Sequence, residues 1–171
     1  MYYVRKLSNV PNLEKIRNSD NVGDLAPDIV KQELGTTGNT LSFWKCDDLD
    51  NLCDTIKAIL LSTTGIKTAQ FFIVSDSVIE KYGFIMDDSQ PGSTGYKGFE
   101  KLHTNMIELT YSKLGLILQM LQEVFKDPEN TPKLDKGKVK SYIREVKKAG
   151  LLNDNALQEQ LKKEIDRYCQ T

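Results

Sequence analysis

The sequence predicts an α/β protein with a small mixed or parallel sheet of three to four strands, flanking helices and a C-terminal helical hairpin. Residues 69–74 form an almost continuous apolar run, which has the length of a strand covered on both faces. Residues 49–60 repeat apolar side chains at three- and four-residue steps, the pattern of a helix that lies against a sheet. Beyond residue 133 the pattern is helical throughout.

Four segments are predicted as strands. Residues 2–7 alternate apolar side chains with charge, which is typical of a strand with one wet face, often at a sheet edge. Residues 40–46 are rich in aromatic side chains, and 69–74 is the best candidate for the sheet centre. Residues 105–109 suit either a fourth strand or part of a helix. Because a helix separates the second strand from the third, we expect a right-handed parallel crossover between them.

The remaining segments of the body are predicted as helices. Residues 27–34 begin with a proline suited to a first turn and are followed by Gly35, a suitable C-terminal cap. Ser75 caps a short helix that runs to Lys81. Residues 112–125 are apolar around most of the helix circumference, which indicates a helix that is buried or contacted on two sides.

The chain changes character near Asp127 and Pro128. Residues 1–132 carry 13 basic and 18 acidic side chains, whereas residues 133–171 carry 10 basic and 6 acidic ones. We therefore expect an α/β body at 1–127, a linker at 128–132 and a basic helical hairpin at 133–171. A hairpin with two apolar stripes must pack on the body, on a partner or on another copy. The stripes are Val139, Tyr142, Ile143 and Val146, then Leu157, Leu161, Ile165 and Tyr168.

The cysteines and the N-terminus predict a cytoplasmic protein. Cys46, Cys53 and Cys169 are odd in number, and Cys53 falls on the predicted apolar face of its helix, so we expect three reduced thiols. The first residues lack the apolar core of a secretory signal. The longest apolar stretch, 114–121, is much shorter than the roughly 20 residues that a membrane-spanning helix requires.

Catalytic and metal sites have weak support. The single histidine, His103, has Glu100 and Glu108 near it in sequence, but one histidine without a convergent set of groups is usually structural. The acidic cluster of residues 47–54 contains several carboxylates, yet helix capping and solvation explain it more simply than a bound cation does. We predict no catalytic residue, no metal and no cofactor.

The loop at residues 35–40 has the composition of an anion-binding loop. Gly35, Gly38 and Thr40 could present backbone N–H groups and hydroxyls to a ligand. The loop follows a helix and precedes a strand, which is the reverse of a phosphate-binding loop, so a cap and a turn account for it. An enzyme with a site near His103 and this loop is the third hypothesis for function.

The basic tail is the strongest candidate for a binding surface. Seven basic side chains follow one another between residues 133 and 148, against two acidic ones. A partner-binding role is predicted for Tyr142, Lys138, Lys140, Arg144 and Lys147, together with the loop aromatics Tyr96 and Phe99.

These observations favour a non-enzymatic cytoplasmic protein of microbial type that acts through protein contacts or self-association, as an accessory or inhibitory component of a larger assembly. The alternative is a nucleic-acid-associated protein that binds through the basic helices, although Tyr142 is the only aromatic residue within the basic run that is available for stacking. No contact with a membrane is expected.

Overall fold

A computed structural model describes residues 1–35 and 38–168, apart from the side chain of Val10. The described part forms one six-stranded sheet in the order β4-β5-β2-β1-β3-β6. The strands are β1 (Tyr2–Lys6), β2 (Leu41–Cys46), β3 (Ala69–Ser75), β4 (Ile85–Asp87), β5 (His103–Ile107) and β6 (Lys133–Leu134). The α-helices of this part are α1 (Val10–Arg17), α2 (Pro27–Glu33), α3 (Leu52–Leu60), α4 (Asp76–Lys81), α5 (Tyr111–Phe125), α6 (Lys136–Lys148) and α7 (Glu159–Tyr168).

The prediction of a small mixed or parallel sheet of three to four strands is wrong. Within the described residues the sheet has six strands, and every neighbouring pair is antiparallel. Two strands were missed because β4 has three residues and β6 has two, which is too short for an alternating pattern to be visible.

The expected parallel crossover is also wrong, because β1 lies between β2 and β3 and pairs with both. These two strands run in the same direction, since each is antiparallel to β1, but they are not hydrogen-bonded neighbours. The edge position suggested for residues 2–7 is also wrong, because β1 has a neighbouring strand on each side. The charges of Arg5 and Lys6 mark the end of a central strand, not a wet face.

Helices cover both faces of the sheet and give it two hydrophobic cores. Successive residues of β3 alternate between them: Phe72 and Val74 pack with α1, α2, α4 and α5, whereas Phe71 and Ile73 pack with α3, α6 and α7. The first six residues of β3 are buried, which confirms that this strand is covered on both sides.

The clearest predicted helix begins later than its pattern suggested. Residues 49–51 form a separate short helical turn, and α3 starts at Leu52. Leu49 is 52% exposed and Cys53 is exposed, so the prediction that both lie on the apolar face is wrong. Ile56 and Ile59 are buried against the sheet as expected.

The segment between α5 and α6 is hydrogen-bonded to the sheet. The side chain of Gln70 donates to the carbonyl oxygen of Thr131, and the N–H of Phe71 donates to that of Pro132. Strand β6 then pairs with the start of β3. These bonds fix the point at which α6 begins. Of the helices in the described residues, none is long and apolar enough to cross a membrane.

Candidate interaction surface of the C-terminal helices

Helix α6 places its basic side chains on the outside because its apolar stripe is fixed on the sheet. The Asp135 carboxylate caps the helix by accepting from the N–H of Lys138 at 2.8 Å. Val139, Ile143 and Val146 are each no more than 2% exposed. Most of the lysine and arginine side chains between them therefore point towards solvent.

Tyr142 lies at the junction of α6 and α3, with cations against its ring. The ammonium of Lys138 lies 4.8 Å from the ring centroid and that of Lys57 lies 5.6 Å from it. The Tyr142 hydroxyl lies 3.5 Å from Sγ of Cys53. This hydrogen bond and burial raise the pKa of Tyr142 to about 12. Because Tyr142 is only 9% exposed, its ring mainly contacts the chain itself.

Three further cations converge on the ring of Tyr168 at the end of α7. The distances to the ring centroid are 5.6 Å for Lys136, 4.6 Å for Lys140 and 5.0 Å for Arg167. The Arg144 guanidinium donates to the carbonyl oxygen of Tyr168 at 3.0 Å and so ties α6 to α7.

Four side chains lie on the flank of α6 that meets α7, and no described carboxylate lies within 4 Å of their charged groups. We call this set the basic surface, and it consists of Lys136, Lys140, Arg144 and Arg167. Lys138 is two residues from Lys136 and from Lys140, so it lies on the other flank of α6, against Tyr142 and beside Lys57 of α3.

Three of the six acidic side chains of the tail make their contacts away from the outer face of α6. Glu145 forms an ion pair with Lys57 of α3 at 3.3 Å, and Glu164 accepts a hydrogen bond from the N–H of Ile66 at 2.7 Å. The carboxylate of Asp135 caps α6. Because these carboxylates face the body or the helix end, the outer face of α6 is more positive than the composition of the tail suggests.

Of the loop aromatics, Tyr96 is buried and Phe99 is half-buried against it. Tyr96 is 5% exposed and stacks on Phe99, with ring centroids 4.0 Å apart. Its hydroxyl donates to Oδ1 of Asp54 at 3.0 Å, and burial together with this bond raises the pKa of Tyr96 to about 12. Oδ1 of Asp54 also pairs with Lys57 at 3.3 Å.

Lys57 therefore joins Tyr96, through Asp54, to Glu145 of α6. Burial alone would lower the pKa of Lys57, but the hydrogen bonds to Glu145 and Asp54 outweigh it and raise that pKa. Of the residues predicted to bind a partner, the structure brings Lys140 and Arg144 together at Tyr168, whereas Lys138 lies on the other flank of α6 against Tyr142. It buries Tyr96, and it leaves Phe99 and Lys147 half-buried.

The acidic cluster at the start of α3 behaves as a cap. Oδ1 of Asp48 accepts from the N–H of Asn51 at 3.1 Å, as the capping explanation requires. Asp47 and Asp54 line a cleft of about 140 Å³ beside Phe99. Among the described residues no group of three or more histidine, cysteine or acidic side chains is arranged to hold a metal ion.

His103 and the loop at residues 35–40 lie at opposite ends of the β2–β5 ladder. His103 pairs with Trp44 and its Nδ1 lies 3.1 Å from the Gln90 carbonyl oxygen, whereas the Asn39 carbonyl oxygen accepts from Leu109. Five residue steps separate Asn39 from Trp44, or about 16 Å at ~3.3 Å per residue. Residues 36 and 37 lie outside the described part, and the rest of the loop does not meet His103.

Three side chains of this region were not predicted from the sequence. Lys136 and Arg167 belong to the cluster around Tyr168, and Lys57 anchors Glu145. The four-residue steps from Lys136 to Lys140 to Arg144 were a visible signal, because such residues share a helix face. Helix α7 contributes Arg167 and Tyr168 only because of how it packs against α6, and the sequence pattern does not show that packing.

Comparison of the chain with protein-family models, with curated proteins and with solved structures finds no match. The functional argument therefore rests on the geometry and charge of the basic surface.

Proposed function

We propose that this protein acts without catalysis by binding an acidic protein through the basic surface, as an accessory or inhibitory component of a larger assembly. The observation that carries the proposal is the convergence of Lys136, Lys140 and Arg167 on the ring of Tyr168. Like charges held this close repel one another, so carboxylates of a partner would stabilise the arrangement.

A protein fits this surface better than a nucleic acid does. Single-stranded nucleic acid binds largely through bases stacked on open aromatic faces. The aromatic ring of this surface is that of Tyr168, and lysine or arginine side chains flank it. Carboxylates of a protein can instead approach the outer N–H groups of these cations, with no need to reach the ring.

Binding to a phosphate backbone is the second candidate, and the observation that favours it is the spacing of the cations. Lys136, Lys140 and Arg144 follow one another at four-residue steps along a helix of 13 residues, which is about 20 Å long. A row of this kind can follow a nucleic-acid backbone, and such binding weakens steeply with salt.

The test is affinity capture from the native host with the full chain, with and without nuclease treatment of the lysate. The triple variant Lys136→Glu, Lys140→Glu, Arg144→Glu should lose the captured protein. A matched triple variant on the opposite side of the sheet, Lys15→Glu, Lys31→Glu, Lys126→Glu, should retain it, as should nuclease-treated wild type. Capture that survives the first variant contradicts the proposal, and capture that nuclease abolishes moves the second candidate into first place.

A further inference from the structure

Strands β1 and β2 separate at one end of the sheet and leave a wedge between them. Their pairing ends at Val4 and Trp44. Beyond this point β1 stays with β3 as far as Lys6, and β2 stays with β5 as far as Leu41. The end of α3 covers the opening. The result is a pocket of about 210 Å³ whose walls include Arg5, Lys6, Ser42, Trp44, Ser62 and Thr63.

Arg5 bridges the separated strands with its side chain. Nη1 donates to the Ser42 carbonyl oxygen at 2.7 Å, and Nη2 lies 3.5 Å from the carbonyl oxygen of Glu33. Its Nε makes no hydrogen bond to the described residues. The guanidinium is therefore held in place while part of its donor capacity remains open.

The described residues neutralise the positive charge of the wedge only in part. No described carboxylate lies within 4 Å of the ammonium groups of Lys6 or Lys67. The Glu33 carboxylate accepts from the N–H groups of Ser8 and Asn9. Burial lowers the pKa of Arg5 to about 10 although the charge of Glu33 opposes this, and burial with the charge of Lys67 lowers the pKa of Lys6. A half-buried cation without a counterion, such as Lys6, favours an anion.

The hydroxyls of the pocket offer acceptors instead of donors. Ser62 and Thr63 donate to carbonyl oxygens of α3 at 2.7 and 2.8 Å, and Ser42 donates to the Asn105 side chain at 3.0 Å. While each hydroxyl keeps this bond its one proton is used, and its oxygen then accepts a further hydrogen bond. A ligand that satisfies this pocket must bring negative oxygens for the cations and a proton for the hydroxyls.

We infer that the wedge is a binding site for inorganic phosphate in its protonated form. Hydrogenphosphate has both negative oxygens and a P–OH donor at neutral pH. Sulfate has no proton there, and a phosphate monoester loses its last proton with a pKa of about 6. The site therefore discriminates by hydrogen bonding, and it does not depend on the basic surface of α6.

The test uses the single tryptophan of the chain, Trp44, which lines the pocket and reports binding by its fluorescence. Inorganic phosphate, sulfate and methyl phosphate are titrated at pH 7.5 and constant ionic strength. Phosphate should give a saturable change and bind about tenfold more tightly than either comparison ion, since each lacks one hydrogen bond. No saturable change, or sulfate binding as tight as phosphate binding, overturns the inference.

Two variants connect the signal to the wedge. Lys6→Met should weaken phosphate binding about tenfold or more, because it removes the unpaired ammonium. Lys67→Gln is at an exposed position that will not affect folding, and it should weaken binding roughly threefold through lost Coulomb attraction. Lys126→Gln, after α5 and away from the pocket, is the control and should bind as wild type does. Unchanged affinity in Lys67→Gln and in a folded Lys6→Met contradicts the assignment.

Discussion

The hydroxyl of Tyr96 donates to Oδ1 of Asp54 at 3.0 Å, and the same oxygen accepts from Lys57. Through Lys57 the contact continues to Glu145 of α6. One polar chain thus connects the loop after β4, helix α3 and the C-terminal helices. This connection keeps the basic surface at a fixed place on the body, and the first prediction tests it.

Tyr96→Phe should change how stability depends on alkaline pH. The pKa of Tyr96 is raised from 10 to about 12 in the folded chain. The protonated hydroxyl therefore contributes stability that is complete below pH 10 and is lost as pH rises towards 12. Urea unfolding across this range should show that the free energy of unfolding falls less steeply with pH in the variant than in wild type. Absorbance titration of the variant should show one high-pKa tyrosine fewer. Tyr111→Phe, at a residue that is 92% exposed, should leave the high-pKa group intact. Identical alkaline curves for Tyr96→Phe and wild type would refute the role of this bond.

Gly95→Ala should reduce the free energy of unfolding by about 1–3 kcal/mol, because Gly95 lies where the loop after β4 packs against the C-terminal segment. A Cβ at this position would collide with the side chain of Leu157, and the backbone of Gly95 is fixed by bonds to Leu61 and Asn153. Thermal or urea unfolding measures the change. Adding Leu157→Ala should recover part of the loss, because it removes the colliding atoms.

The matched glycine control is Gly115→Ala on α5, where a Cβ has no heavy atom within 4 Å. It should stabilise the protein by about 0.5–1 kcal/mol, since alanine favours a helix over glycine. If Gly95→Ala is as harmless as this control, the tail does not pack on the loop as described.

Cys53 and Cys46 should react at very different rates with a thiol reagent in the native protein. Cys53 is exposed, whereas Cys46 is buried and burial raises its pKa. Cys169 lies outside the described residues, so the rates are compared in a Cys169→Ser background, where Cys53→Ser should remove the fast phase of the reaction. The expectation of three reduced thiols is checked by titrating the denatured wild type without reductant. A fast phase that persists after both substitutions contradicts the placement of Cys46 and Cys53.

Ile56→Ala should reduce the free energy of unfolding by about 2–5 kcal/mol, because the side chain is 3% exposed and packs between α3 and the sheet. Leu49→Ala is the matched control at 52% exposure and should change stability by less than about 0.5 kcal/mol. Equal effects of the two substitutions would mean that the apolar face of α3 is wrongly assigned.

The sequence predicts long elements well and strand order poorly. Ile56, Phe71 and Ile143 lie in periodic patterns long enough to define a helix or a strand and its buried face. The place of β1 does not follow from such patterns, because Arg5 and Lys6 resemble the wet face of an edge strand. In the fold they lie where β1 leaves β2. Pairing between strands distant in sequence is a tertiary property that local periodicity does not encode.

The binding surface was likewise predicted in part. Lys140 and Arg144 follow from charge and helical spacing, but Tyr168 and Arg167 join them only because α7 packs beside α6. Lys138, which was predicted with them, lies on the other flank of α6. Tyr96 was proposed as a contact because glycines flank it in a loop. Its ring is buried in the structure, because the hydroxyl donates a hydrogen bond to Asp54 and the ring stacks on Phe99.

The central claim is that α6 belongs to the body and holds the basic surface rigidly. Native-state hydrogen exchange measures this directly, by comparison of the amides of Ile143 and Val146 with those of Phe71 and Ile73 in β3. The account predicts that the two sets exchange with similar free energies, close to that of global unfolding, because all four side chains share one core. Exchange of the α6 amides at a free energy several kcal/mol below that of β3 would show that the tail opens independently and would contradict the account.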